Sequence, residues 1–190
     1  MTGRQGVLLY GPPASGKDTV TAALTELNSK YVQFARLKGR VGQVGWLPDG
    51  HCRAAAPAGG PRATSSMRTP RYGNTYVIDR PGVDAAFAAG VPVVHLGQVN
   101  GIRALIDGYP ADWSVVLLWC PRATTEQRSA GRGDGDTAAR LAAWDATRED
   151  QDAHPEMVWD LTVDTTVASP QNAARLIDQL LAQQAGVATA

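Results

Sequence analysis

Apolar positions recur along the chain with two alternating periods. Gly6-Val7-Leu8-Leu9-Tyr10 is a short apolar run that stops at Gly11-Pro12-Pro13, as a buried strand entering a turn does. Beyond it Val20, Ala23, Leu24 and Leu27 fall at i, i+3, i+4 and i+7, which predicts one apolar stripe along a helix running from about Gly16. Residues 31–37 alternate as a second strand would, and Tyr76-Val77-Ile78 forms a short one before Pro81 opens a helix that ends at Gly90. Residues 91–96, 113–120 and 157–163 predict three further strands, separated by helical patterns carrying Ile102, Leu105 and Ile106, then Leu141 and Trp144. Ser169-Pro170 supplies an N-cap and a first-turn proline for a closing helix, with Ala173, Leu176, Ile177, Leu180 and Leu181 on one face.

Strand and helix thus alternate. That rhythm predicts an α/β fold in which a mainly parallel five-stranded sheet lies between helices, and it places ligands beyond the carboxyl ends of the strands. One stretch interrupts it. Across 39–70 the large apolar residues are Val41, Val44, Trp46, Leu47 and Met67, scattered among Gly, Pro, Ala and Arg. Too few to build a core, they fit an insertion or lid over a site; an out-of-frame reading of GC-rich DNA yields the same composition.

Length and charge narrow the picture. The chain has 190 residues, suited to a single domain over 1–190, and its 18 basic and 18 acidic residues cancel, so nothing in the overall charge draws it to nucleic acid or an anionic membrane. No apolar run approaches a membrane span and the first residues lack a secretory signature, so a cytoplasmic location is expected. Cys52 and Cys120 stand far apart, outside any metal-binding spacing. The expected partner is a small-molecule substrate; the oligomeric state is left open.

The chemistry concentrates in Gly11-Pro12-Pro13-Ala14-Ser15-Gly16-Lys17, which fits GxxxxGK and sits between an apolar strand and an amphipathic helix. Glycines let the backbone curl until successive N–H groups and the helix N-terminus face one anion, while Lys17 reaches the β and γ phosphates of a nucleoside triphosphate. Gly11, Pro13, Ala14, Ser15, Gly16, Lys17, Asp18 and Thr19 are the candidate nucleotide-binding residues. The fold is then a P-loop NTPase three-layer α/β/α sandwich. At the motif's last position, where a Ser or Thr hydroxyl holds Mg²⁺, stands Asp18. A carboxylate beside phosphates repels them unless a divalent cation lies between, so Asp18 either ligates Mg²⁺, directly or through water, or weakens nucleotide binding.

With these residues the chain resembles the guanylate kinase family, and within it the ribose bisphosphate phosphokinases, whose loop also reads GKD. Arg71-Tyr72-Gly73, Ala88-Ala89-Gly90, Gly101-Ile102-Arg103 and the segment 128–140 add to the resemblance. It implies a lid over 128–140 whose arginines, Arg132 and Arg140, fold over the transferring phosphoryl group beside Lys17. A guanidinium brought there stabilises charge on the equatorial oxygens. The bland alternative is that these arginines pair with acidic neighbours on a helix end. On the acceptor side the nearest matches are Arg36, Tyr72 and Arg103, although Arg103 could equally pair with Asp107 four residues on. Gln98 stands where guanylate kinases carry an acidic strand end, and 39–70 shows none of their guanine-reading pattern. His95 reads as a satisfied interior residue sooner than as a base.

These expectations combine into an ATP- and Mg²⁺-dependent kinase that passes the γ-phosphoryl group to a sugar phosphate or nucleoside monophosphate. A nucleotide-binding protein without transferase activity is the alternative, and an ATPase or GTPase switch ranks below both.

Overall fold

The computed structural model describes residues 3–34, 37–40, 45–46, 52–53, 66–71, 74–131 and 136–187. In chain order they form β1 (Gln5–Tyr10), α1 (Lys17–Leu27), β2 (Tyr31–Gln33), β3 (Leu37–Arg40), β4 (Gly45–Trp46), β5 (Cys52–Arg53), β6 (Ser66–Arg71), β7 (Asn74–Asp79), α2 (Arg80–Ala89), β8 (Val91–Leu96), α3 (Val99–Gly108), β9 (Asp112–Trp119), α4 (Arg122–Ala130), α5 (Thr137–Asp152), β10 (Leu161–Asp164) and α6 (Pro170–Val187). Five strands make one sheet in the order β10-β9-β1-β8-β2, and every pairing in it is parallel. The expected three-layer α/β/α architecture is therefore present.

Alternation along β1 sorts its side chains to two cores. Val7 and Leu9 face α1 and α6, whose Val20, Leu24, Ala173, Ile177 and Leu181 cover them; Leu8 and Tyr10 face α2 and α3, which contribute Val83, Ala86, Val99, Ile102 and Leu105. Both faces of β1 are buried, which is why its sequence is a continuous apolar run. α1 leaves β1 over one face and α3 leaves the adjacent β8 over the other, so the crevice between the carboxyl ends of β1 and β8 is the switch point where α/β folds bind ligands.

Several local expectations are corrected. Residues 31–37 are not one strand: β2 stops at Gln33 after pairing with β8, and Leu37 begins β3, which pairs antiparallel with β7 in a separate three-stranded sheet, β3-β7-β6. The strand read at 76–78 belongs to this small sheet. Of 157–163, residues 161–163 are strand, because Met157 and Trp159 pack against the second core instead. Leu176, Ile106 and Leu27, placed on apolar faces by their spacing, are 42%, 39% and 46% exposed. Within 39–70, residues 39–40, 45–46, 52–53 and 66–70 are strand, and the rest lies outside the described residues. The start of the closing helix is as expected, with Ser169 Oγ accepting from the Asn172 N–H at 3.2 Å.

Candidate active site at the carboxyl end of the sheet

β1 ends at Tyr10, and the turn into α1 is made by three residues of positive φ: Gly11 at 151°, Ala14 at 58° and Gly16 at 85°. Gly11 is required by space as well as by angle, since a Cβ there would lie 2.0 Å from the Leu118 carbonyl oxygen. The loop wraps the Lys17 ammonium, which donates to the carbonyls of Gly11 at 2.8 Å and Pro12 at 2.7 Å and to Ser15 Oγ at 3.2 Å. Ser15 is fully buried, and Pro13, Ala14, Gly16 and Lys17 are half-buried. α4 grips the loop from outside. Thr125 Oγ1 donates to the Pro13 carbonyl at 3.0 Å, and Arg128 donates to the Ala14 carbonyl at 2.9 Å while also reaching the Thr165 carbonyl at 2.6 Å and its hydroxyl at 3.2 Å. Two consecutive loop carbonyls are thus held outward by the helix that leads into the expected lid.

Asp18, in the first turn of α1, exposes 89% of its side chain, and its carboxylate lies 3.5 Å from Nδ1 of His95 on β8. His95 is buried, as its sequence context predicts, and neighbours Leu9 in the sheet, so its ring lies beneath α1. Its Nε2 is 2.7 Å from Thr21 Oγ1. Thr19 is exposed on the same turn.

Across the crevice, α5 supplies Asp150, a residue that nothing in the sequence singles out. Its Oδ2 accepts from the Tyr10 hydroxyl at 2.8 Å and from the Val99 N–H at 2.8 Å, placing a carboxylate at the N-terminus of α3. The Tyr10 hydroxyl also lies 3.1 Å from the Thr147 carbonyl, and its ring stacks on Trp159. Arg103, one turn into α3, pairs with Glu156 beyond α5 rather than with Asp107. The Glu156 carboxyl sits below the usual range, first through its own backbone N–H and then through Arg103. Arg140 is half-buried on α5, where its backbone N–H donates to the Asp136 carbonyl at 3.1 Å. Arg36, Tyr72 and Arg132 lie outside the described residues. The structure therefore brings the loop, Asp18, Thr125 and Arg128 together, with Arg103 displaced toward the α5 side. Thr125 and Arg128 could have been found as polar residues on the helix that leads from β9 into the expected lid; Asp150 meets Tyr10 from 140 positions away and leaves no local trace.

Among the described residues no helix is long and apolar enough to cross a membrane, and no group of three or more His, Cys, Asp or Glu could hold a metal ion. Mg²⁺ does not need one, since it is commonly held by one or two carboxylates with substrate phosphates and water, and Asp18 next to Lys17 fits that mode.

Comparison with solved structures gives a guanylate kinase from Anaplasma phagocytophilum, 14% identical, matched over 94% of this chain and 85% of that one with a TM-score of 0.56. A second is the YorR protein of Bacillus subtilis in complex with phosphorylated GDP, 15% identical over 95% and 98% of the two chains, with a TM-score of 0.47. No curated protein matches by sequence. The family model for chloramphenicol phosphotransferase-like proteins matches residues 66–182, more than half of the chain, beginning beyond the phosphate loop. A kinase-type sheet, a phosphate loop at its switch point and that match converge: the chain belongs to the chloramphenicol phosphotransferase-like family of P-loop kinases, on a guanylate kinase-like fold.

Proposed function

We propose that the protein transfers the γ-phosphoryl group of ATP to a small phosphorylated acceptor, a sugar phosphate or a nucleoside monophosphate. The observation that carries this reading is the phosphate loop, whose Gly11 and Pro12 carbonyls hold the Lys17 ammonium and whose Pro13 and Ala14 carbonyls are held by α4, with the N-terminus of α1 directly after it. On binding, Lys17 exchanges its contacts with the Gly11 and Pro12 carbonyls for the β and γ phosphates and holds the group that moves. Mg²⁺, bound through Asp18, would neutralise charge shared by the β and γ oxygens. Arg132 and Arg140, carried by the lid over 128–140, stabilise charge on the equatorial oxygens as the bridging β–γ bond breaks and the acceptor oxygen bonds to phosphorus, with ADP leaving. An acceptor phosphate needs no base. Arg36 and Tyr72 are assigned to the acceptor; Arg103, engaged by Glu156, serves it only if that ion pair opens.

Isothermal calorimetry tests the donor half: ATP should bind the wild type and bind Lys17→Ala at least about tenfold more weakly. ATP consumption against sugar phosphates, nucleoside monophosphates and chloramphenicol tests the acceptor half. Consumption with chloramphenicol alone would replace the phosphorylated acceptor by a hydroxyl, and binding without consumption against any acceptor would leave a nucleotide-binding protein.

A further inference from the structure

Along α5 the residues Arg140, Ala143, Thr147 and Asp150 follow one another at intervals of three, four and three, so at about 100° per residue they share one sector of the helix about 80° wide. Ala143 and Thr147 are buried, and Arg140 and Asp150 are half-buried at the two ends of that face, about 15 Å apart along the axis. We propose that Asp150 is a positioning residue for phosphoryl transfer: by fixing how α5 is rotated against β1 and α3, it sets where Arg140 stands. The inference rests on the proposed kinase function and on the role given there to Arg140.

Apolar contact holds a helix onto a sheet without direction, so it resists rotation about the helix axis weakly; hydrogen bonds supply the missing direction. Asp150 Oδ2 accepts two of them from different elements, the Tyr10 hydroxyl of β1 and the Val99 N–H of α3, each at 2.8 Å. Both donors are fixed points. Tyr10 is fully buried with its ring stacked on Trp159, and the Val99 N–H is main chain at the first residue of α3. A second anchor lies on the other side of Arg140: Trp144, about 40° from it around the helix, donates Nε1–H to the Cys120 carbonyl at 2.9 Å, just past β9, while Asp150 stands about 80° from it the opposite way. Tyr10 directly precedes Gly11 of the phosphate loop, and Val99 opens α3 at the switch point, so α5 is registered against the two pieces of chain that flank the reacting phosphates. The tolerance is small. A rotation of about 10° carries a group about 6 Å from the helix axis through about 1 Å, and a misplacement of that size lowers a rate about 100-fold.

Turnover is read as ATP consumption with the most active of the sugar phosphates and nucleoside monophosphates as acceptor, and binding by calorimetric titration of ATP in the presence of Mg²⁺. Asp150→Leu, which has no accepting oxygen, should lower kcat about 100-fold and change ATP affinity less than about twofold, because Arg140 acts on charge that develops during transfer. Asp150→Asn, whose amide oxygen accepts from both Tyr10 and Val99, should keep kcat within about threefold of wild type. Tyr10→Phe removes one of the two bonds and should fall between. In an Arg140→Ala background Asp150→Leu should change kcat less than about twofold, since the group it places is gone. Thermal unfolding verifies that each variant is folded at the assay temperature. Unchanged kcat in folded Asp150→Leu overturns the proposal. So do equal losses in Asp150→Leu and Asp150→Asn, which would assign the effect to charge, and a loss that multiplies undiminished on that of Arg140→Ala, which would separate the two residues. Should Asp150→Leu not fold, wild-type kcat in folded Tyr10→Phe overturns it instead. In all these cases the wild type turns over and the kinase reading stands; a wild type that binds ATP yet consumes none with any acceptor removes that reading and the role of Asp150 together.

Discussion

Two glycines of the phosphate loop have positive φ, yet the structure assigns them unequal consequences when a methyl group is added. At Gly11 the new Cβ would meet the Leu118 carbonyl oxygen at 2.0 Å and Ser15 Oγ at 2.9 Å; at Gly16 it meets nothing within 4 Å. Gly16→Ala therefore costs only the left-handed backbone strain, about 1–2 kcal/mol. Gly11→Ala carries a comparable backbone cost and, in addition, an overlap that no rotamer relieves because the obstructing atom is main chain of β9. Overpacking of that kind adds about 1–3 kcal/mol, for a total of about 2–5 kcal/mol. Restoring van der Waals distance requires the loop or β9 to move by about 1 Å, and displacement on that scale at a phosphate cradle lowers turnover about 100-fold. Urea unfolding of the two variants beside the wild type, with ATP affinity measured on each, compares them directly. If Gly16→Ala loses as much stability as Gly11→Ala, the contact with Leu118 does not govern the loop and the reasoning fails.

Three further outcomes are expected. Tyr10→Phe removes a buried hydroxyl from a carboxylate while keeping the stack on Trp159, and should cost about 1.5–3 kcal/mol in urea unfolding; a change under about 0.5 kcal/mol would show that Asp150 does not tie α5 to β1. Arg128→Ala should lower ATP affinity more than Arg122→Ala does, because Arg128 holds the Ala14 carbonyl while Arg122 pairs with Asp145 on the surface; equal affinities would remove the α4 grip. The Asp178 carboxyl is held below its ordinary range by hydrogen bonds from Lys30 and then Tyr31, so its contribution is present above the unfolded value near about pH 4 and is lost as pH falls through the lower folded value. The stability gap between wild type and Asp178→Asn, under about 1 kcal/mol for this partly exposed pair, should accordingly close below about pH 4; a gap that widens in acid contradicts the assignment.

The elements that sequence reading recovers are those whose environment is uniform. β1, β8 and β9 have both faces covered, so unbroken apolar runs identify them, and the loop between β1 and α1 is identified by glycine and lysine spacing alone. Alternation in 31–37 could not disclose that its two ends join different sheets, because period two reports which face a residue takes and nothing about the strand beside it. Met157 and Trp159 misled in the same way: being apolar, they marked partial burial, but against the second core, where Trp159 stacks on Tyr10, rather than in a ladder.

The site was legible only where its residues are neighbours in sequence. Lys17 and Asp18 come from one turn of chain, whereas the side chains around that turn come from other elements: Thr125 and Arg128 of α4 hold the Pro13 and Ala14 carbonyls, and Asp150 of α5 meets the start of α3. This division has a physical basis. The phosphate loop binds through main-chain amides, so its sequence must permit a backbone shape and is written locally. Orientation of that backbone depends on side chains arriving from other elements. Any residue of suitable reach can supply it: a threonine and an arginine do so for the loop carbonyls, and an aspartate for the start of α3. The exchange of hydroxyl for carboxylate at position 18 illustrates the coupling, since an acid there is compatible with phosphate only if a cation lies between them. A lone Asp18→Ser reversion, which restores the motif's hydroxyl, should therefore fail to restore ordinary Mg²⁺ dependence, because β8 ends in His95 and Leu96, is followed by Gly97 and Gln98, and offers no acidic partner. Full Mg²⁺-dependent tightening of ATP by that variant, measured in the calorimetric titration, would show that the strand's residue type is immaterial to the metal.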